Sequence, residues 1–219
     1  MNGAVILGLV LVAAVLLYVF LIPSSSSGSS DSMTLIPDLQ SGMLATTRAT
    51  TSLLPSFNQP QGRVYSYTCW LIIKDFTQGY GTKRKIFSKG DAPGLYLDTT
   101  SNALSVAVKT YGTTETILIP NIPAMKWLHV GLVVDQQSVD IYINGTLRQH
   151  HTLTQLPDLT EDALTTGPNW NGYLGSLVYY RRAVPYAEMS ALASQPPPQM
   201  PEDAVGKGSY FDMSWYIGR

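Results

Sequence analysis

Residues 127–147 read WLHVGLVVDQQSVDIYINGTL, and how this stretch is read decides the fold. Trp127 to Asp135 is a run of β-branched and aromatic residues, broken by Gln136-Gln137. In Ser138 to Asn144, Val139, Ile141 and Ile143 fall on one side while Asp140 and Tyr142 fall on the other. That alternation is the period of a half-buried strand. Asn144-Gly145 then joins two such runs, and both central residues of a type I′ hairpin turn need positive φ, which these two residues tolerate. Asn144-Gly145-Thr146 is also an N-glycosylation acceptor, so Asn144 is a candidate modification site.

Working outward, short runs of the same kind continue on both sides. VYSYTCWLII, KIFSK, GLYLDT, ALSVAVK and ETILI precede the hairpin, and TLRQHHTL, DALTTG and YLGSLVYYRR follow its first two strands, each bounded by turn residues. Short strands at this spacing predict an all-β antiparallel sandwich over residues 63–194. No helix-period segment separates the strands, so a parallel βαβ architecture is excluded. One short helix is expected at PYAEMSALA, with Pro185 at its start.

The two ends differ from this domain. Residues 4–22, AVILGLVLVAAVLLYVFLI, are apolar or Gly throughout and long enough to nearly cross a hydrocarbon core, which predicts an N-terminal transmembrane helix. No basic residue precedes the run, as a secretory signal would require, although Ser24 to Ser27 offer a cleavage site for that alternative. The first basic side chain is Arg48, so topology is not readable. Residues 23–62 read as a Ser-rich linker and extended arm. Residues 195–219 form a Pro-rich and aromatic tail, in which Tyr210, Phe211, Trp215 and Tyr216 make an apolar payload suited to docking on a partner. With 14 basic against 15 acidic residues the chain has no electrostatic footprint for nucleic acid. Cys69 is the one cysteine and sits in an apolar alternating run, where it reads as a small buried hydrophobe.

The order of these segments resembles the laminin-G-like, concanavalin A-like jelly-roll superfamily. The resemblance covers residues 63–194 and rests on YTCWLIIKDF, KIFSKGDAPGLYLDTTSNALSVAV, MKWLHVGLVVDQQSVDIYINGTL and GYLGSLVYYRRAVPYAEMSAL. It implies two antiparallel sheets packed face to face, used in relatives to bind sugars or proteins and occasionally to hydrolyse polysaccharides. Where relatives often carry F-D-G-x-I-D-D, this chain reads Trp170-Asn171-Gly172-Tyr173-Leu174-Gly175-Ser176, so the calcium site of some relatives is not carried over. Single-anchor proteins of this plain build also resemble proteins of large DNA viruses that tether a membrane to its shell.

Individual side chains narrow the chemistry. Trp127 and His129 share one strand face and are expected as a core residue and a satisfied polar group. His150 and His151 are adjacent, so they face opposite ways and cannot chelate one ion. Lys83, Arg84 and Lys85 read as a solvated strand end. Asp91 and Asp98 alone do not supply the oxygens that calcium needs. No E-x-D-x-E run and no G-x-S-x-G elbow occurs. The expectation is a non-enzymatic protein with no cofactor and no metal: a membrane-anchored docking protein of a larger assembly, in the resembling case a virion's inner membrane and capsid. A surface lectin is the alternative, with Trp170 and Tyr173 either stacking on sugar faces or serving as core aromatics before the last strand. A polysaccharide hydrolase stands third.

Overall fold

A computed structural model of the chain describes residues 31–48, 56, 63–90, 92–158 and 162–200. The apolar run 4–22 and the tail residues Tyr210, Phe211, Trp215 and Tyr216 lie outside them. Among the described residues no helix is long and apolar enough to cross a membrane.

Two antiparallel sheets carry the fold. The first, sheet A, contains β1 (Ser32–Ile36), β2 (Gln40–Ser41), β4 (Val64–Asp75), β9 (Trp127–Asp135), β10 (Ser138–Ile143), β11 (Thr146–Thr152) and β13 (Asn171–Tyr180). Its order is β1-β13-β4-β9-β10-β11, with β2 also on β13. Sheet B contains β3 (Thr46–Arg48), β5 (Arg84–Lys89), β6 (Gly94–Leu97), β7 (Leu104–Lys109), β8 (Thr114–Ile119) and β12 (Leu164–Thr166). Its order is β3-β12-β5-β6-β7-β8. Each of the strand runs expected from the sequence forms. The arm does more than expected: β1 caps the β13 edge of sheet A and β3 the β12 edge of sheet B. Among the described residues pairing therefore begins at Ser32, well before residue 63. Strands of two to five residues leave no period to read, and the open edges they cover decide their conformation.

The alternation of the central strands fills the space between the sheets. Tyr65, Tyr67, Cys69, Leu71 and Ile73 point inward from β4, and Leu128, Val130, Leu132 and Val134 from β9. Tyr67 lies 5.7 Å from Phe87 of the opposite sheet and 5.3 Å from Tyr179. Cys69 is buried among these groups, and burial pushes its thiol up to about 12, so it is a small hydrophobe as expected. The hairpin turn has φ 51° at Asn144 and 76° at Gly145, the two positive values of a type I′ turn.

A helix, α1 (Tyr186–Ala193), starts after Pro185 and covers part of the outer face of sheet A. Met189 is its buried anchor, packed with Val133, Tyr142, Tyr180 and Val184. The lead-in is fixed by Ser66, whose hydroxyl donates to the Arg182 carbonyl at 2.8 Å and accepts from the Val184 N–H at 3.0 Å. Arg182 also meets Glu188 through two bonds of 2.8 Å. Gly131 is required beneath this helix, because a Cβ there would run into the Met189 thioether.

Candidate functional site

The outer face of sheet A is not wholly covered by α1. Strand register places Tyr173, Ile72 and Trp127 side by side across β13, β4 and β9, and Gly175, Trp70 and His129 in the next row. Neighbours in such a row stand about 5 Å apart. Trp70 and Trp127 meet edge to face at 6.4 Å, and Trp70 meets His129 in the same manner at 5.2 Å. Trp70, Trp127 and Tyr173 are half-buried, and Lys74 Nζ stands 5.2 Å from the Tyr173 ring centre. The result is an aromatic tile beside the helix. Pro198 approaches Gly175 at its edge, at 3.1 Å from where a Cβ would stand.

Two expectations change here. Trp127 is not part of the inter-sheet core, and His129, 3% exposed, keeps a buried Nδ1 without a hydrogen-bond partner. Burial lowers its pKa to about 4, so the ring is neutral near pH 7. Trp170 goes the other way. At 1% exposure it lies in the core, and its indole leaves no room for a side chain at Gly42. A buried ring cannot stack on a sugar, so Trp170 is withdrawn as a glycan contact, while Tyr173 stays on the accessible face. The sequence missed Trp70: it shares the outward face of β4 with Val64, Ser66, Thr68 and Ile72, and that mixed face does not separate what lies under the helix from what lies beside it.

The second feature is the rim where β4 ends and β9 begins. On one half of it Arg84, 1% exposed, donates to the carbonyls of Phe76 at 2.6 Å, Gln78 at 3.1 Å and Asp98. Asp75 accepts from the Thr77 hydroxyl at 2.8 Å, the Thr77 and Gln78 N–H groups and Asn171. Asp98 accepts from the Ser101 hydroxyl at 2.6 Å and the Thr100 and Ser101 N–H groups. These bonds, led by those from Thr77 and Ser101, hold both carboxyls below their ordinary range. The basic triplet is therefore not a solvated strand end: Arg84 is buried, Lys83 sits over the Tyr96 ring at 3.9 Å, and Lys85 donates to Thr165 at 3.0 Å. Loops folding back over the strand end create the carbonyl cage that sequence alone did not reveal. Asp91 lies outside the described residues.

The other half of the rim holds a cleft of about 370 Å³ between the hairpin and the loop before β9. Its polar lining is Asn121, Asn144, Thr146 and Arg148. Asn144 is tied down at one end, its Oδ1 accepting from the His129 N–H at 2.9 Å. Gly145 packs beneath α1, where an added Cβ would stand 3.0 Å from Ser190 Cα. Further along β11 the two histidines diverge, as adjacent strand residues must. His150 meets Asp140 at 2.6 Å, and His151 meets Glu115 of β8 at 2.9 Å, a bond between edge strands of the two sheets. Among the described residues no group of three or more His, Cys, Asp or Glu side chains is placed to hold a metal ion.

A face-to-face pair of antiparallel sheets, with a short helix on one outer face and its loops gathered at a rim, defines a lectin-type β-sandwich. The model of the concanavalin A-like lectin/glucanases superfamily, in its laminin G form, matches residues 46–189, and the chain belongs to that superfamily. No curated protein sequence matches the chain. Among solved structures it is similar to the binding domain of Paraclostridial Mosquitocidal Protein 1, at 16% identity and a TM-score of 0.52 over 60% of this chain and 37% of that one. It is also similar to the binding domain of Botulinum neurotoxin DC in complex with rat synaptotagmin II, at 17% identity and a TM-score of 0.50 over 60% of this chain and 35% of that one. A structure of botulinum neurotoxin type C, whose cell entry is described as dependent on interaction with two ganglioside molecules, matches at 16% identity and a TM-score of 0.50, over 60% of this chain and 35% of that one. This chain thus spans about a third of the length of those it resembles. At such identity the likeness is one of fold.

Proposed function

We propose that the protein is a non-catalytic docking module, held at a membrane by residues 4–22, whose sandwich binds neighbouring protein subunits of a larger assembly. A virion membrane with its capsid is the assembly that the build of the chain suggests. The observation that carries the reading is the half-exposed pair Trp70 and Trp127 beside Tyr173, since large aromatic side chains clustered on a flat face are what protein interfaces use as anchors. The tail residues Tyr210, Phe211, Trp215 and Tyr216 supply a second contact. A non-catalytic role is supported by the lack of an E-x-D-x-E run and of a G-x-S-x-G elbow in the sequence. Carbohydrate recognition is the second reading, supported by the rim cleft and its Arg148 rather than by Trp170.

The test is gentle detergent extraction of the full chain from membranes that contain its assembly, with copurifying subunits quantified by mass spectrometry. A subunit present in fixed ratio to the wild type should fall about tenfold with the Trp70→Ser/Trp127→Ser double variant. An unchanged ratio, for a variant whose melting curve shows it folded, removes the aromatic tile from the docking surface.

A further inference from the structure

The rim cleft is lined by hydrogen-bond donors and one cation, and by no acid. Arg148 owes its position to a break in register: Ile141 pairs with Gln149 and Tyr142 with Leu147, which leaves Arg148 as the extra residue of a β-bulge. A bulged residue is unpaired in the ladder, and the local bend re-aims its side chain. Among the described residues no acidic side chain pairs with it. Asn144 is oriented from the opposite side, because the His129 N–H occupies its Oδ1 and leaves the Nδ2 hydrogens as its remaining donors. Asn121 stands at φ 62° on the loop wall, and Thr146 follows the turn. Between these groups run Ile122, Pro123, Leu128, Ile143 and Leu147, of which Leu147 is 45% exposed.

We propose that this cleft binds the carboxylate-bearing sugar unit of an acidic polysaccharide, with the carboxylate on Arg148, hydroxyls on Asn121, Asn144 and Thr146, and a C–H face of the ring on Leu147 and Pro123. The chemistry selects this class. An aliphatic chain would leave four polar side chains unused, and a bare phosphate would leave the apolar wall unused. A uronate-type ring carries an anion, several hydroxyls and an apolar face in one body, and a cleft at the small end of the ligand-pocket range suits one or two such rings. A planar guanidinium is suited to grip a carboxylate through two parallel bonds. The assignment rests on the carbohydrate reading of the fold and is independent of the aromatic tile.

Calorimetric titration of the full chain in detergent micelles, with digalacturonate and with its uncharged methyl ester, tests it. The acid should bind at least about tenfold tighter than the ester. Arg148→Gln should reduce the acid to the affinity of the ester, and Arg148→Lys should keep part of the preference. Equal binding of acid and ester, or an acid preference that survives Arg148→Gln, overturns the assignment while leaving carbohydrate recognition standing. No binding of either sugar overturns both.

Discussion

On one half of the rim Arg84 is enclosed and its Nη groups donate to the carbonyls of Phe76, Gln78 and Asp98; on the other half Arg148 projects from a bulge and meets no acid among the described residues. The acids follow the same division. Asp75 and Asp98 are consumed in holding turns, whereas the cleft has none. The contrast teaches that a polar residue at a loop end has two fates. It can be the internal partner that lets irregular backbone be buried, or it can be left over for something outside the chain.

That contrast is open to attack in order of effect. Arg84→Met should cost about 3 kcal/mol in denaturant unfolding, because buried carbonyls lose their donors. If Arg148→Gln costs as much, the two halves are not different. The acids come next. Asp75 and Asp98 have folded pKa values below the ordinary range, so their contribution is complete above about pH 4, the unfolded carboxylate value, and is lost as pH falls through the folded values. Melting temperature should therefore drop below pH 4, and Asp98→Asn should flatten that drop while costing about 1 kcal/mol at pH 7. His129 adds an earlier slope, since its neutral form is the buried one: the loss begins below about pH 6.5 and continues until about 4. The smallest effect belongs to Arg148→Gln, which should change stability by less than about 0.5 kcal/mol, as surface positions without internal partners do. Its whole cost should appear in binding.

The hairpin, the ten strand runs from Arg63 onward and the helix at Pro185 were all legible in the sequence, because alternation and turn chemistry are local. What the outer face of a strand met was not legible. In β4 the inward face is set by the alternation, but the outward face mixes Ser66 and Thr68 with Trp70 and Ile72, and that mixture does not tell which part α1 covers and which part forms the tile. Trp170, given a surface role in the lectin reading, lies in the core, while Trp127, expected in the core, lies on the tile. Arg84 and Arg148 failed to show for a related reason. A cage made by returning loops and a bulge made by a slipped register are both properties of pairing between distant segments, and neither leaves a mark in the residues beside it.

The bond between the His129 N–H and Asn144 Oδ1 also bears on how the protein ages. In an Asn-Gly pair the glycine carries no side chain, so its backbone nitrogen can reach the asparagine side-chain carbonyl, close a ring and release ammonia, after which water opens the ring to an acid. Here that closure must first free Oδ1 from His129 and lift Gly145 from beneath Ser190 and Ala193. The folded hairpin therefore shelters a dipeptide that would decay in the unfolded chain. Where the shelter fails, the product is a carboxylate beside Arg148. The cleft would then supply its own anion, and a chemical clock in the turn would close the site from within.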